Sequence, residues 1–228
     1  MKTIAILQSN YIPWIGYFHL MHRADIFVIY DDVQFTKNDW RNRNIIKTPN
    51  GWQWITIPVR QEKLEQRINE TKISLKNWNV KHWKTLQANY AKTPYFSKYA
   101  PVFEKLYSEI DTEYLSEINL AFIKAINEIL NIKTELVDSS SLQLTGNRSE
   151  RLLDAVEKLN GDRYLSGPSA KDYLQVDLFE KQGIKVDWME YSGYKEYPQM
   201  YPPFTQRVTV LDLIFNVGGK IDSYLNCP

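Results

Sequence analysis

The first 32 residues alternate between apolar and polar segments in a pattern that predicts a strand, a helix and a second strand. Residues 3–7 (TIAIL) form one short apolar run and residues 25–30 (DIFVIY) form another. Between them, Pro13 suits the first turn of a helix because its φ is already near the helical value. This β-α-β unit indicates a Rossmann-like, partly parallel sheet with flanking helices.

Polar side chains follow both of these predicted strands. Gln8 and Asn10 come after the first strand, and Asp31 and Asp32 come after the second. Parallel strands end at the same edge of a sheet, and open α/β sheets bind ligands at that edge. We therefore expect these four side chains to converge on a ligand.

A hairpin and a helical region follow along the chain. Residues 45–46 and 52–58 alternate as strands do, with a turn between them, while residues 33–44 are polar and predict a long loop. The spacing of apolar residues predicts a helix over 80–91 and a helical region over about 101–131. The second is either one helix or two helices separated at Asp111-Thr112. In this second region the side chains that we expect to be buried are Val102, Leu106, Ile110, Leu115, Ile118, Phe122, Ile126 and Leu130.

A second strand-turn-helix segment lies near the end of the chain. Residues 163–166 predict a strand, and Ser169 would then cap a helix that runs through Glu180. The segment 166–171 (SGPSAK) offers hydroxyls, helix N-terminal amides and a lysine, which together favour an anion site, with ordinary helix capping as the alternative. We expect one α/β domain over residues 1–228 with a helical insertion at about 78–132.

Composition limits the classes of partner. The chain has 228 residues and a net charge of +1, so no overall field favours nucleic acid or an anionic membrane. No segment approaches the roughly 18 apolar residues that span a bilayer. The single cysteine, Cys227, excludes an internal disulfide and fits a reducing compartment, and we expect an untethered terminus around it. A cytoplasmic protein is predicted, with its oligomeric state left open.

Several polar groups are candidates for binding or catalysis. Residues 41–44 (RNRN) present two guanidinium forks that suit a phosphate or carboxylate, or else surface ion pairs. Asp31 and Asp32 suit a Mg²⁺ ion beside phosphate, or instead cap a loop or pair with arginine. His19 and His22 share a helix face without an evident third metal ligand, so no metal site is assigned to them.

Histidine is the side chain that most readily exchanges a proton near neutral pH. His19, expected near the start of the first helix, is a candidate donor in an active site, and His82 is a candidate general acid or base. A packed, hydrogen-bonded histidine is the alternative at each position.

Motifs spread along the chain resemble the WbqC-like family. They begin with Gln8, Tyr11, Pro13, Trp14, Gly16, Tyr17 and Phe18, and continue with residues 24–25, 31–34, 40–44, 164–169, 173–174 and 212–216. The resemblance implies a place in bacterial polysaccharide and O-antigen biosynthesis, in the tailoring of sugars.

A second resemblance concerns residues 14–17 (WIGY) and Gln34-Phe35. They are similar to pantothenate synthetase, a nucleotidylyltransferase-like enzyme that adenylates a carboxylic acid with ATP and forms an amide. Trp14 and Tyr17 stand where that family has two histidines.

Together these features predict an enzyme that transfers an acyl or aminoacyl group to a nucleotide-linked amino sugar, with ATP and Mg²⁺ left open as requirements. The alternatives are a glycosyltransferase-like enzyme and a noncatalytic protein that binds sugar nucleotides. The expected catalytic residues are Asp31, Asp32, His82 and His19. The expected substrate-binding residues are Gln8, Asn10, Tyr11, Trp14, Tyr17, Arg41, Asn42, Arg43, Asn44, Ser166, Gly167, Ser169 and Lys171.

Overall fold

The computed structural model describes residues 1–225, so Cys227 and the prediction made for it lie outside the described residues. It confirms the predicted mixed α/β class, with a five-stranded parallel sheet flanked by helices. The strands are β1 (Thr3–Leu7), β2 (Ile26–Ile29), β3 (Arg43–Thr48), β4 (Gly51–Thr56), β5 (Val59–Arg60), β6 (Lys72–Ile73), β7 (Glu135–Asp138), β8 (Arg163–Ser166) and β9 (Lys185–Trp188). The α-helices are α1 (Ile15–His22), α2 (Trp78–Tyr90), α3 (Phe96–Glu109), α4 (Leu115–Leu130), α5 (Ser149–Lys158), α6 (Val176–Lys181) and α7 (Val210–Val217).

The described chain forms two compact units, each built from separate segments. The first unit contains Met1–Gln8, Gly16–Asp32 and Ile132–Ser192. The second contains Ser9–Ile15, Val33–Asn131 and the described residues from Gly193 onward. The helical stretch expected at about 78–132 belongs to the second unit, and a single domain over the whole chain stays a prediction.

The first unit is organised around the parallel sheet, whose strand order is β7-β2-β1-β8-β9. Ile4 of β1 lies opposite Ile26 of β2 on one side and Tyr164 of β8 on the other. On one side of β1 lie β2 and then β7, and on the other side lie β8 and then β9. The order therefore reverses between β1 and β8, which is the topological switch point of a Rossmann-like sheet.

Both faces of this sheet are covered, which explains why β2 and residues 4–7 of β1 are apolar. On one face Ile4 and Ile26 pack in a core cluster that includes Val156 of α5. On the other face Phe27 contacts the ring of Tyr17 in α1, with 5.2 Å between the ring centroids. β1 and β2 are thus fixed from both sides.

The second unit combines the β3–β4 hairpin with helices α2, α3, α4 and α7. The predicted hairpin is present, with Thr48 opposite Gly51 at its turn. Its first strand begins at Arg43, so Arg43 and Asn44 lie in a strand and not in the expected loop. Pairing of Arg43 with Thr56 extends the ladder past the apolar residues that marked the strand in the sequence.

Two helix predictions are wrong in detail. Ser169 lies in a 3-10 helix, Pro168–Asp172, and α6 begins separately at Val176, so Ser169 does not cap a helix through Glu180. In α3 the buried side chains are Phe103 and Tyr107, whereas Val102 is 38% exposed. The inner face of α3 therefore carries aromatic side chains and not the predicted aliphatic ones.

Within residues 1–225, none of the helices has the length and apolar character needed to cross a membrane.

Candidate functional site

The carboxyl edge of the sheet in the first unit collects several of the predicted site residues. Gln8 directly follows β1, and Ser166 ends β8 and is followed by Gly167. Because β1 and β8 are the two strands at the switch point, Gln8 and Gly167 flank the position where open α/β sheets bind ligands. Asp31 and Asp32 follow the neighbouring strand β2 at the same edge.

Asp32 is held by two side chains from other elements of the first unit. Ser139, which directly follows β7, donates a hydrogen bond to its Oδ1 at 2.5 Å. Arg151 of α5 forms an ion pair with Oδ2 and donates a second bond to the Leu144 carbonyl at 2.9 Å. Both carboxylate oxygens of Asp32 thus hold β2, the turn after β7 and α5 together. Its catalytic role stays a prediction, and Asp31 beside it is buried.

The turn after β8 carries the predicted anion-binding residues. Ser166 is buried, whereas Ser169 and Lys171 are exposed. The Lys171 ammonium lies 5.7 Å from the centre of the Trp188 ring, a cation-π distance. The 3-10 helix ends at Asp172 and is followed by Tyr173, whose side chain is 63% exposed. The turn therefore presents a hydroxyl, an ammonium group and a free aromatic face to solvent.

His82 belongs to a buried hydrogen-bonded chain in the second unit. Its Nε2 lies 3.2 Å from the Thr56 carbonyl, which can only accept, so Nε2 carries the proton. Its Nδ1 then accepts from the Tyr11 hydroxyl at 2.9 Å, and Tyr11 accepts in turn from Tyr107. Burial lowers the pKa of His82 to about 4, although the Thr56 carbonyl raises it in part. His82 is therefore neutral at pH 7.

Tyr11 is fully buried, and its ring packs edge-on against Trp78 and Phe122. Burial raises the pKa of its hydroxyl well above the usual value, and the nearby hydroxyl of Tyr107 adds to the effect. A stacking role for Tyr11 against a ligand stays a prediction that this burial does not favour. Trp14, by contrast, is half-buried, with its ring 6.1 Å from that of Tyr194.

Arg41 and Asn10 lie together in the second unit, since the guanidinium donates to the Asn10 side-chain oxygen. Arg41 also pairs with Asp39 at 3.5 Å. Asn119 of α4 fixes the backbone nearby by donating to the Arg41 carbonyl at 2.8 Å and to the Ser9 hydroxyl at 3.0 Å. These contacts hold the Arg41 head group in one orientation.

The other members of the RNRN segment have separate surroundings. Asn42 donates to the Ile57 carbonyl at 2.8 Å, and the Asn44 amide donates to the backbone carbonyls of Tyr11 and Ile12 in the loop before α1. Arg43 lies over the Trp54 ring, with 4.3 Å from the guanidinium carbon to the ring centre. The two buried amides thus stabilise the backbone, and substrate contacts by them stay predictions.

The remaining candidates lie on α1. Tyr17 is buried against Phe18 and Phe27. His19 is also buried and lies in the last turn of the helix, so the expectation that it lies near the helix start is wrong. Burial, together with the charges of Arg23 and His22, lowers the pKa of His19 to about 4.

Within the part of the chain that the structure describes, no three His, Cys, Asp or Glu side chains cluster in a way that could hold a metal ion.

Two residues with clear roles were missed in the sequence. Arg151 pairs with Asp32 from 119 positions away, and Tyr107 bonds Tyr11 from 96 positions away. Neither residue lies in a local motif. The i, i+4 spacing of Phe103 and Tyr107 on one face of α3 was the only available signal for Tyr107.

Comparison with known proteins supports the resemblance seen in the motifs. The model of the WbqC-like protein family matches residues 8–223. The chain is also 42% identical over 226 residues to the uncharacterized protein Rv1507c of Mycobacterium tuberculosis, covering 99% of this chain and 98% of that protein. No solved structure matches the chain. The chain belongs to the WbqC-like protein family.

Proposed function

We propose that the protein is an enzyme of polysaccharide biosynthesis that transfers an acyl or aminoacyl group to a nucleotide-linked amino sugar and forms an amide. The observation that carries the proposal is the switch point between β1 and β8, flanked by Gln8 and by the turn after β8. Open α/β sheets bind nucleotides and similar ligands at this position.

The turn after β8 has the chemistry to hold the nucleotide. The Lys171 ammonium and the Ser169 hydroxyl are exposed and suit the oxygens of a diphosphate. Tyr173 offers an exposed ring on which a base can stack. Phosphate or carboxylate binding by Arg41 and Arg43, which belong to the second unit, stays a separate prediction.

The reaction needs a group that removes a proton from the attacking amine as the new C–N bond forms. His82 suits this role poorly, because its Nδ1 already accepts from Tyr11 and its Nε2 donates to the Thr56 carbonyl. The carboxyl group of Asp32 is held by Ser139 and Arg151. Asp31, which is buried at the carboxyl edge of the sheet, is the group that we propose for accepting this proton. The acid must be activated by a co-substrate, and ATP with Mg²⁺ is the one to test first.

The proposal is tested by incubating the protein with ATP, Mg²⁺, glycine and a panel of uridine and thymidine diphosphate amino hexoses. Mass spectrometry should show the nucleotide sugar gaining one acyl group, with ATP converted to AMP or ADP. Lys171→Ala should lower kcat/KM about tenfold through loss of one charged contact. Lys181→Ala, an exposed lysine of α6, is the matched control and should keep full activity. Absence of both binding and turnover across the panel would contradict the proposal.

The two alternatives give different products in the same assay. Glycosyl transfer would release a nucleoside diphosphate and would require the carboxylates of Asp31 and Asp32 for a metal ion. A noncatalytic binding protein would bind a nucleotide sugar without changing its mass.

A further inference from the structure

Three tryptophans of the second unit form an aromatic surface that the proposed reaction does not use. Trp52 is 61% exposed and Trp40 is 41% exposed, and Trp54 between them is half-buried. We call these three residues the tryptophan face. Large apolar side chains grouped at the surface of a soluble protein are typical of a binding site.

The register of the hairpin directs two of these rings outward. Trp54 lies opposite Ile45 and Trp52 opposite Lys47, and residues two apart on a strand share one face. The opposite face carries Ile46 and Ile55, which are 0% and 3% exposed. The hairpin thus has its own apolar face for the core, and the tryptophans lie on the other.

The rings form one continuous surface. Trp40 and Trp54 have their centroids 5.2 Å apart at an interplanar angle of 38°, and Trp52 stands perpendicular to Trp54 at 6.5 Å. The Arg43 guanidinium packs over the Trp54 ring at 4.3 Å and donates to the Asn38 carbonyl. These contacts restrict Trp54 and give the surface a fixed shape before any ligand arrives.

The charges around the tryptophan face do not suit a polyanion. Arg41 pairs with Asp39 at 3.5 Å. Lys47 is 3% exposed and donates to the Pro203 carbonyl at 2.5 Å. Nucleic acid and anionic bilayers are bound through several free cations that face the ligand. Arg41 is thus paired and Lys47 is buried, which leaves the charge of the Arg43 guanidinium over Trp54, so the complementary ligand is neutral or carries a single negative charge.

Two uncharged polar side chains lie at the edge of the surface. Asn38 and Thr56 are exposed beside the rings, and Thr56 lies opposite Arg43 in the ladder. Amide and hydroxyl groups donate and accept hydrogen bonds with sugar hydroxyls. Indole rings provide the flat apolar area that the C–H face of a pyranose covers.

We infer that the tryptophan face is a saccharide-binding site that takes a neutral or singly charged glycan by stacking sugar rings on Trp52 and Trp40. This inference does not depend on the reaction proposed at the carboxyl edge of the sheet.

The test is isothermal titration of the full-length protein with the neutral hexasaccharides of glucose and of N-acetylglucosamine. At least one of them should bind, and Trp52→Ala should weaken that binding at least tenfold. Trp52→Phe keeps an aromatic face and should retain most of the affinity. Tyr114→Ala, which removes a 37% exposed ring elsewhere in the second unit, is the control and should bind as the original protein does. Thermal unfolding of each variant checks that the fold is intact.

Two further probes, oligothymidylate and phosphatidylglycerol vesicles, cover the other classes of ligand. Tighter binding of either probe than of any saccharide, lost in Trp52→Ala, would overturn the inference. Saccharide binding that Trp52→Ala leaves unchanged would also overturn it, as would no saccharide binding at millimolar concentration.

Discussion

Asn44 shows how one buried amide supports the loop that follows the first strand. It is 2% exposed, and its side-chain nitrogen lies 3.1 Å from the Tyr11 carbonyl and 2.9 Å from the Ile12 carbonyl. Ile12 has a φ of +39°, which is unfavourable for a β-branched residue and persists only where the surroundings enforce it. Asn44 supplies part of that constraint.

Replacing Asn44 with alanine should therefore destabilise the protein. The change leaves two buried carbonyls without their donor, which costs about 1–3 kcal/mol in the free energy of unfolding. Urea denaturation measures the loss. Gln53→Ala, at an exposed position of the same hairpin, is the control and should change the stability by less than about 0.5 kcal/mol. Equal stabilities for the two variants would contradict the role assigned to Asn44.

His82 makes the stability of the protein depend on pH. Its pKa is about 4 in the folded protein against 6.5 as the ordinary value, so the unfolded chain binds more protons between these limits. The stabilisation is fully present above pH 6.5 and is lost as the pH falls towards 4. The loss from this one residue is about 3 kcal/mol.

His82→Asn tests this dependence, because asparagine keeps an acceptor for Tyr11 but does not titrate. The free energy of unfolding should fall less between pH 7.5 and pH 4.5 in the variant than in the original protein. His19 has a similarly lowered pKa and is unchanged in both proteins, so its contribution cancels in the comparison. The same pH dependence in both proteins would mean that His82 is not buried in its neutral form.

Among the elements, α3 shows where periodicity alone was insufficient. The sequence offers two stripes with the same spacing, Val102-Leu106-Ile110 and Phe103-Tyr107. The aromatic stripe is the buried one, because Phe103 packs against Phe215 at 5.6 Å and Tyr107 packs against Phe122 at 4.8 Å. In α4 the predicted stripe is the buried one, and its members Leu115, Ile118, Phe122, Ile126 and Leu130 are all buried.

The orientation of α3 is tested by a pair of neighbouring substitutions. Phe103→Ala should lower the free energy of unfolding by about 3–5 kcal/mol, because it opens a cavity in the core. Val102→Ala should change it by only about 0.5 kcal/mol, since Val102 lies on the exposed face. Thermal or urea denaturation of both variants shows which face of α3 is buried. A larger loss of stability for Val102→Ala than for Phe103→Ala would contradict the observed orientation of the helix.

The ion pair between Asp32 and Arg151 joins the end of β2 to α5. Because the pair connects these two elements, Asp32→Asn and Arg151→Met should each lower the free energy of unfolding. The double variant should lower it by less than the sum of the two single losses. The expected coupling is about 1–2 kcal/mol from a double-mutant cycle in urea. Additive losses would show that the two side chains act independently, and would leave Asp32 free for another role.

At the scale of the whole molecule, the sequence predicted the α/β class and the opening β-α-β unit because both depend on local patterns. It did not show that β8 would lie beside β1, since Thr3 and Arg163 are brought together only by the folded sheet. The pairing matters for function, because it places the switch point between Gln8 and Gly167. The local sequence pattern therefore identified the loop after β1 and the loop after β8. The strand order was needed to show that these two loops are neighbours.

The hydrogen-bonded chain of Tyr107, Tyr11 and His82 could not be predicted from the sequence, because it also depends on contacts between distant segments. Its members come from three distant segments of the second unit, and nothing in the local sequence around His82 indicates a tyrosine partner. His82 was accordingly expected to exchange protons near neutral pH. Burial, which the sequence shows only indirectly, lowers its pKa and changes that expectation.

The central claim is that a nucleotide-linked sugar binds at the carboxyl edge of the parallel sheet. Hydrogen–deuterium exchange with and without a uridine or thymidine diphosphate amino hexose tests it most directly. Amides after β1 and β8, near Gln8 and in the turn 167–173, should exchange more slowly when the ligand is bound. Protection confined to other segments, or no protection at saturating ligand, would contradict the claim.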